Sequence, residues 1–218
     1  MVKIITIDGP ASSGKGTVAK IVAERLGFHY LESGAIYRAL GLWVKLNYPD
    51  LQVTDAEVVN LINSLKLEFK QAKVWLGARD VTQELRAEEI GMLASRFSQI
   101  PEVRARLLQF QREFAQAPGL VTDGRDMGSV VFPAADLKVF LTASTEKRAE
   151  RRYKQLQQLD NSVTIQAILQ DIVARDQQDS QRSVAPLSYD SSFKLLDNST
   201  LSIEESVSSI LTWWAERA

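Results

Sequence analysis

The sequence predicts an α/β fold, a parallel sheet with flanking helices interrupted by a smaller antiparallel sheet. Three observations carry this. Short β-branched runs alternate with segments of helical period, the pattern of parallel strands joined by right-handed crossovers. The first such strand passes directly into a glycine-rich turn and then a helix. Between the second and third core strands the period changes to two-residue alternation, which marks antiparallel strands.

Lys3-Ile4-Ile5-Thr6-Ile7 reads as a buried strand ending at Asp8-Gly9. Val18, Ile21, Val22 and Leu26 recur at helical spacing, and Gly27 stops that helix. Phe28-His29-Tyr30-Leu31 is a second strand, with Ser33 expected to cap the next helix. Leu65-Lys66-Leu67-Glu68-Phe69 alternates with period two. Val74-Trp75-Leu76 and Asp80-Val81-Thr82 follow across short turns, one carrying Gly77, so residues 53–100 read as an insert with its own small sheet. Leu120-Val121-Thr122, residues 137–141 and residues 193–196 are the later core strands. The last helix opens on a capping box, Ser202 with Glu205, and presents Val207, Ile210, Leu211 and Trp214 to the core. Gln155 to Gln158 and Gln177-Gln178 read as polar helix faces.

At 218 residues, with 45% hydrophobic and 24% charged residues, the chain is long enough for one α/β domain with an inserted subdomain. A formal net charge of −1 carries no basic surplus for non-specific nucleic-acid binding, so anionic ligands must be met by cations placed in a cleft. The absence of cysteine excludes disulfides and thiolate metal sites. The one histidine, His29, cannot form a multi-histidine metal site and reads as a hydrogen-bonded strand-end residue. No apolar run approaches the ~20 residues of a membrane span, and the start MVKIITIDG lacks a signal-peptide core, so the expected compartment is the cytoplasm.

Gly9-Pro10-Ala11-Ser12-Ser13-Gly14-Lys15-Gly16-Thr17 matches G-x-x-x-x-G-K, except that Gly16 stands at the usual Ser/Thr position and the hydroxyl follows at Thr17. Glycines let successive backbone N–H groups turn toward phosphate oxygens, and the following helix adds its positive end. Lys15 is placed to bridge β- and γ-phosphates, and the Thr17 hydroxyl to reach Mg²⁺. This defines a nucleoside triphosphate site without defining its use. Neither the D-x-x-G switch nor the N-K-x-D base reader of a GTPase is present.

The acceptor must be sought at the other strand ends, because ligands of such sheets bind beyond the carboxyl ends of the strands. Ser33-Gly34-Ala35-Ile36-Tyr37-Arg38 opens the second helix, and Asp123-Gly124-Arg125-Asp126-Met127-Gly128 follows the third core strand. Ser33, Arg38, Asp123, Arg125 and Asp126 are expected around the same crevice as the glycine-rich loop. An Arg125–Asp126 loop ion pair or a solvated Arg38 is the simpler reading of either alone; two arginines at strand ends beside such a loop favour binding. Arg148, Arg151 and Arg152 share one helix face, and Arg175, Asp179 and Arg182 another. Solvated stripes are the plain alternative, but phosphoryl transfer needs several cations around the moving group, and a closing lid can bring them.

The segments IDGPASSGKGT, LESGAIYRAL, PEVRARLLQFQREF, DGRDMGSVVFP and RDQQDSQRSVAPL resemble bacterial cytidylate kinases over essentially the whole chain. The G-K-G-T ending is also that of adenylate-type kinases. The resemblance implies a P-loop NTPase-type five-stranded parallel sheet, a monophosphate-binding insert and a short helical lid. It divides the chain into residues 1–52 (core with the P-loop), 53–100 (insert), 101–147 (core), 148–182 (lid region) and 183–218 (last core strand and helix). It implies a monomer transferring the γ-phosphoryl group of ATP to CMP, and to dCMP, with Mg²⁺. Residues 9–17 would hold ATP, with Thr17 on the metal and Asp123 reaching it through water. Ser33, Tyr37, Arg38, Arg125 and Arg182 would surround the CMP phosphate. Ser95, Arg104 and Asp126 would read cytosine, and Arg175 with Asp179 would hold the ribose. Lys15, Arg125 and the cluster Arg148, Arg151 and Arg152 would serve catalysis. The rival readings are a kinase for another small acceptor, such as UMP, AMP or shikimate, and a P-loop protein that binds nucleotide without transferring phosphate.

Overall fold

A computed structural model describes residues 2–70, 73–157, 163–182 and 184–217. Gln158, at the end of one expected polar helix face, lies outside the described residues, as do residues 159–162 of the expected lid region and Ser183 at its border. In chain order the elements are β1 (Lys3–Asp8), α1 (Lys15–Leu26), β2 (His29–Glu32), α2 (Ser33–Asn47), α3 (Asp55–Ile62), β3 (Leu67–Lys70), β4 (Lys73–Leu76), β5 (Arg79–Asp80), α4 (Glu88–Phe97) and α5 (Pro101–Arg112). There follow β6 (Gly119–Gly124), β7 (Leu137–Thr142), α6 (Thr145–Gln157), α7 (Ile165–Gln181), β8 (Phe193–Asp197) and α8 (Ile203–Ala215).

The chain forms two compact bodies. The first comprises residues 1–31 and 114–218. Its five-stranded parallel sheet has the order β2-β6-β1-β7-β8. β1 is central, paired in register with β6 (Ile7 opposite Asp123) and with β7 (Ile7 opposite Val139). That position explains its composition. Ile5, Thr6, Ile7 and Asp8 are all fully buried, as a central parallel strand with both faces covered requires. Val18, Val22, Val207 and Ile210 from α1 and α8 bury against Ile5, Ile7, Val139 and Leu141, with Leu211 and Trp214 at the margin. Gly27 ends α1 in the left-handed conformation, φ 64°, and the Ser202–Glu205 capping box closes α8 at its start. α6 and α7 share a smaller core of Ala149, Ile168 and Ile172, flanked by Tyr153, Leu156 and Leu169.

The second body comprises residues 32–113 and contains the antiparallel sheet β3-β4-β5. The expected insert, 53–100, lies wholly inside it. The body is wider because α2 packs on α4 and α3 on α5. Gly41 lets α2 and α4 approach, since a Cβ there would stand 3.0 Å from Leu93 Cβ. The capping expectation for Ser33 is corrected. β2 runs one residue further than predicted, so Glu32 is the extended residue before α2, and Ser33 is its first, buried helical residue. A cap must lie in the extended region, which only Glu32 occupies here.

Candidate active site

The glycine-rich loop leaves the carboxyl end of central β1 and enters α1 at Lys15. Gly9 admits no side chain, because a Cβ would lie 2.0 Å from the Leu141 carbonyl oxygen of β7. Ser12 and Gly14 take left-handed conformations, φ 59° and 89°. The loop carbonyls are engaged by side chains from elsewhere in the chain, except that of Pro10, which the loop's own lysine holds. Gly9 accepts from Arg125 Nη1 at 2.9 Å, Pro10 from Lys15 Nζ at 3.2 Å, and Ala11 from Arg148 Nη1 at 3.2 Å. Ser13 accepts from Arg151 Nη1 at 3.1 Å and Asn198 Nδ2 at 3.0 Å. Ser13 Oγ is buried without a hydrogen-bond partner among the described residues.

Two carboxylates stand at neighbouring strand ends beside this loop. Asp123 lies in the buried run of β6, one residue before its end, and accepts from the Tyr30 hydroxyl at 2.8 Å. Burial raises its pKa, opposed by the charge of Lys15, then the Tyr30 hydrogen bond and Arg125. Its carboxylate faces Gly16, where a Cβ would meet Tyr30 Oη at 3.5 Å and Asp123 Oδ2 at 3.7 Å. Asp8, which the sequence reading passed over, is fully buried and accepts the backbone N–H groups of Met127 at 2.8 Å and Gly128 at 2.7 Å. It therefore pins the turn that carries Arg125 and Asp126. Burial pushes its carboxyl up to about 7 despite those bonds. A lone acid closing an apolar strand was the available signal. His29, by contrast, does what was expected of it, with Nε2 2.9 Å from the Ala117 carbonyl.

The arginines of the first body are not a solvated stripe. Arg125 donates from Nε to Asp179 at 2.6 Å, and Arg182 lies 3.7 Å from Asp126. Arg148 is 4% exposed and engages every nitrogen. Nε donates to Ala143 O, Nη1 to Ala11 O and Asp176 Oδ1, and Nη2 to Thr145 Oγ1 and Asp176 Oδ2. Arg151 adds bonds to Asn198 Oδ1 at 3.0 Å and Asn198 O at 2.8 Å. Burial lowers the pKa of Arg152, opposed by Asp171. Arg175 is half-buried on α7. Asp176 and Asn198 were missed in the sequence, although Asn198 follows a strand end, where ligand-facing residues concentrate.

The second body gathers its own set. Tyr37 is buried, and the guanidinium of Arg104 stands 5.9 Å from the centre of its ring. Arg104 Nη1 also donates to Ser98 O at 3.2 Å, one turn beyond Ser95 on the same chain segment. Ser98 Oγ bonds the Ser95 carbonyl at 2.9 Å. Arg38 is held by Leu85 O at 2.8 Å and sits over Gly91, where a Cβ would come within 3.0 Å of Nη1. The predicted cytosine readers thus divide, with Ser95 and Arg104 in the second body and Asp126 in the first.

A lysine-bearing backbone cradle at the end of the central parallel strand, with a buried carboxylate at the next strand end, defines a P-loop nucleotide-binding protein. The family model for cytidylate kinase matches residues 5–216. The cytidylate kinase of Chromobacterium violaceum is 50% identical over 219 aligned residues, covering 99% of this chain and 97% of that one. That of Nitrosomonas europaea is 46% identical over 215 residues, covering 99% and 96%. The crystal structure of an uncharacterized protein from Eubacterium ventriosum shares the fold, with a TM-score of 0.55 at 13% identity over 98% of each chain. The chain belongs to the cytidylate kinase family. Its activity is that of an ATP-dependent nucleoside monophosphate kinase, moving the γ-phosphoryl group of ATP to CMP and leaving CDP and ADP. Among the described residues no helix is long and apolar enough to cross a membrane.

Proposed function

We propose that the acceptors are CMP and dCMP, that Mg·ATP is the donor, and that the residues named above divide the work as follows. The acceptor phosphate is already anionic at neutral pH, so transfer needs no strong base, only alignment and charge neutralisation. Residues 9–17 hold the ATP phosphates, and Lys15 neutralises charge on the γ-phosphoryl group as it leaves ADP. The observation that carries this is the loop itself, a turn at the end of β1 whose Ala11 and Ser13 carbonyls are engaged from outside while its lysine and Asp123 lie together at the strand ends.

The residues present fit a hard divalent cation. Asp123 and Thr17 supply oxygen donors, and among the described residues no cluster of three His, Cys, Asp or Glu forms a cage of its own. That is the pattern for Mg²⁺, which keeps waters and binds with nucleotide phosphates. Thr17 would ligate it directly and Asp123 through water; when bound it spreads the charge of the β- and γ-phosphates.

On the acceptor side, Ser33, Tyr37, Arg38, Arg125 and Arg182 hold the CMP phosphate, and Arg175 with Asp179 hold the ribose. Because dCMP lacks only the 2′-hydroxyl, it keeps the remaining contacts. Ser95, Arg104 and Asp126 read cytosine. The 3.7 Å approach of Arg182 to Asp126 supports a second reading for that one residue, in which Asp126 positions Arg182 instead. Residues 148–182 act as a lid, shielding the γ-phosphoryl group from water. The family resemblance supports a monomer working in the cytoplasm, and the net charge of −1 supports no role on nucleic acid.

Initial rates with CMP, dCMP, UMP and AMP at saturating Mg·ATP test the assignment. CMP and dCMP should be phosphorylated well ahead of the other two. Faster turnover of UMP or AMP, or ADP release that ignores the acceptor, would overturn it.

A further inference from the structure

The phosphate loop is held from behind by side chains that the P-loop motif does not contain. A trans peptide points its carbonyl and the following N–H in opposite directions. Holding the Ala11 and Ser13 carbonyls outward therefore turns the N–H groups of Ser12 and Gly14 to the other side, into the hollow that phosphate oxygens occupy. The loop needs such support. Ser12 has a Cβ yet sits at φ 59°, a conformation that persists only where the surroundings hold it.

Both carbonyls are held by arginines that are themselves placed by other residues. Asn198, 4% exposed just past β8, is fixed by its backbone N–H to Thr142 O at 2.9 Å. From there Nδ2 donates to Ser13 O, while Oδ1 and the backbone carbonyl receive both terminal nitrogens of Arg151. Asp176 on α7 grips Arg148 through both oxygens, at 3.0 and 2.6 Å, which leaves the second hydrogen of Nη1 for Ala11 O.

We infer that Asn198 and Asp176 are positioning residues for ATP, setting the aim of the loop N–H groups through Ser13 and through Arg148 without contacting phosphate themselves. The inference rests on the loop binding the triphosphate, as proposed above.

The test uses the full chain with Asn198→Asp and Asp176→Asn. Asn198→Asp keeps the size and the acceptor for Arg151 but sets a carboxylate oxygen against Ser13 O in place of the donor. Binding of a non-hydrolysable ATP analogue with Mg²⁺ is measured by calorimetry, alongside KM for ATP, KM for CMP, kcat and Tm. Each variant should weaken the analogue and raise KM for ATP by about tenfold, the worth of one well-placed hydrogen bond, with KM for CMP within about twofold. A variant that lowered Tm but bound the analogue like the wild type would overturn the inference, leaving its residue a structural role only. An equal rise in the ATP and CMP constants would overturn it as well. If Asn198→Asp fails to fold, Asp176→Asn, on a helix outside the sheet, decides alone. Wild-type protein that bound the analogue but left CMP unphosphorylated would sink the kinase assignment and leave the loop inference standing.

Discussion

Asp8 offers a test in which burial, charge and the acceptor turn meet. Its carboxyl is pushed from 3.8 up to about 7, chiefly by desolvation, with two backbone N–H bonds and Lys15 pulling the other way and Asp126 adding to the rise. The sign follows from linkage. Below the unfolded value both states are protonated and Asp8 costs nothing. As pH rises toward the folded value the unfolded chain ionises first, so stability falls, and above about 7 it falls no further. At about 1.4 kcal/mol per pH unit, the loss between roughly pH 5 and the folded value is about 3 kcal/mol. Asp8→Asn cannot ionise, so it escapes that loss, although its amide sets an N–H against one of the two N–H groups now bonded at 2.8 and 2.7 Å. That second effect, on the order of 1–3 kcal/mol, is the same at both pH values. Denaturant unfolding of wild type and Asp8→Asn at about pH 5 and about pH 8 reads the difference directly, since titrating groups that do not interact with Asp8 cancel between the two proteins. The stability gap should move toward the variant by about 3 kcal/mol at the higher pH. A gap that stayed constant, or moved the other way, would mean the carboxyl is already ionised at pH 5 and the two N–H bonds outweigh burial.

Three further outcomes concern the reaction. Lys15→Met removes the cation nearest the transferring group, so kcat should fall on the order of a hundredfold or more with little change in KM for CMP; a coupled ADP assay that found most of the turnover intact would remove the loop from the mechanism. Asp179→Asn should lower kcat/KM several-fold more for CMP than for dCMP, because only CMP offers a 2′-hydroxyl to lose. Since Asp179 also holds Arg125 at 2.6 Å, equal losses would assign it to that arginine alone. Asp126→Ala should narrow the preference for CMP over UMP by about tenfold or more, since uracil presents acceptor lone pairs where cytosine presents an amine; parallel losses would favour its role on Arg182.

The parts of the fold that the sequence made legible are those whose signal is local. The strand, turn and helix around residues 3–26 are contiguous, so period, glycine placement and the lysine can be read in order. The same holds for the Ser202–Glu205 capping box and for the three short strands near Gly77, whose alternation is visible within a few residues. Ser33 shows where this fails. Whether a residue caps a helix or begins it depends on where the preceding strand releases the chain, and β2 carries its pairing one residue further than its composition suggests.

The arginines mark the boundary between the two kinds of knowledge. Helical spacing alone groups Arg148 with Arg151 and Arg152, and Asp179 with Arg175 and Arg182, and the sequence goes no further than those faces. The partners are chosen across the fold. Arg148 reaches Ala11 over 137 positions and Asp176 over 28, Arg151 reaches Ser13 over 138, and Asn198 reaches the same carbonyl over 185. By itself the sequence determined that there is a phosphate loop, which side chains it carries and which cations stand available for charge neutralisation. Only the tertiary structure decided which of those cations face the loop's carbonyls and which carboxylate is buried at about 7. The reason is that hydrogen-bond partners and desolvation are properties of neighbours in space, and strand order, not chain order, sets those neighbours.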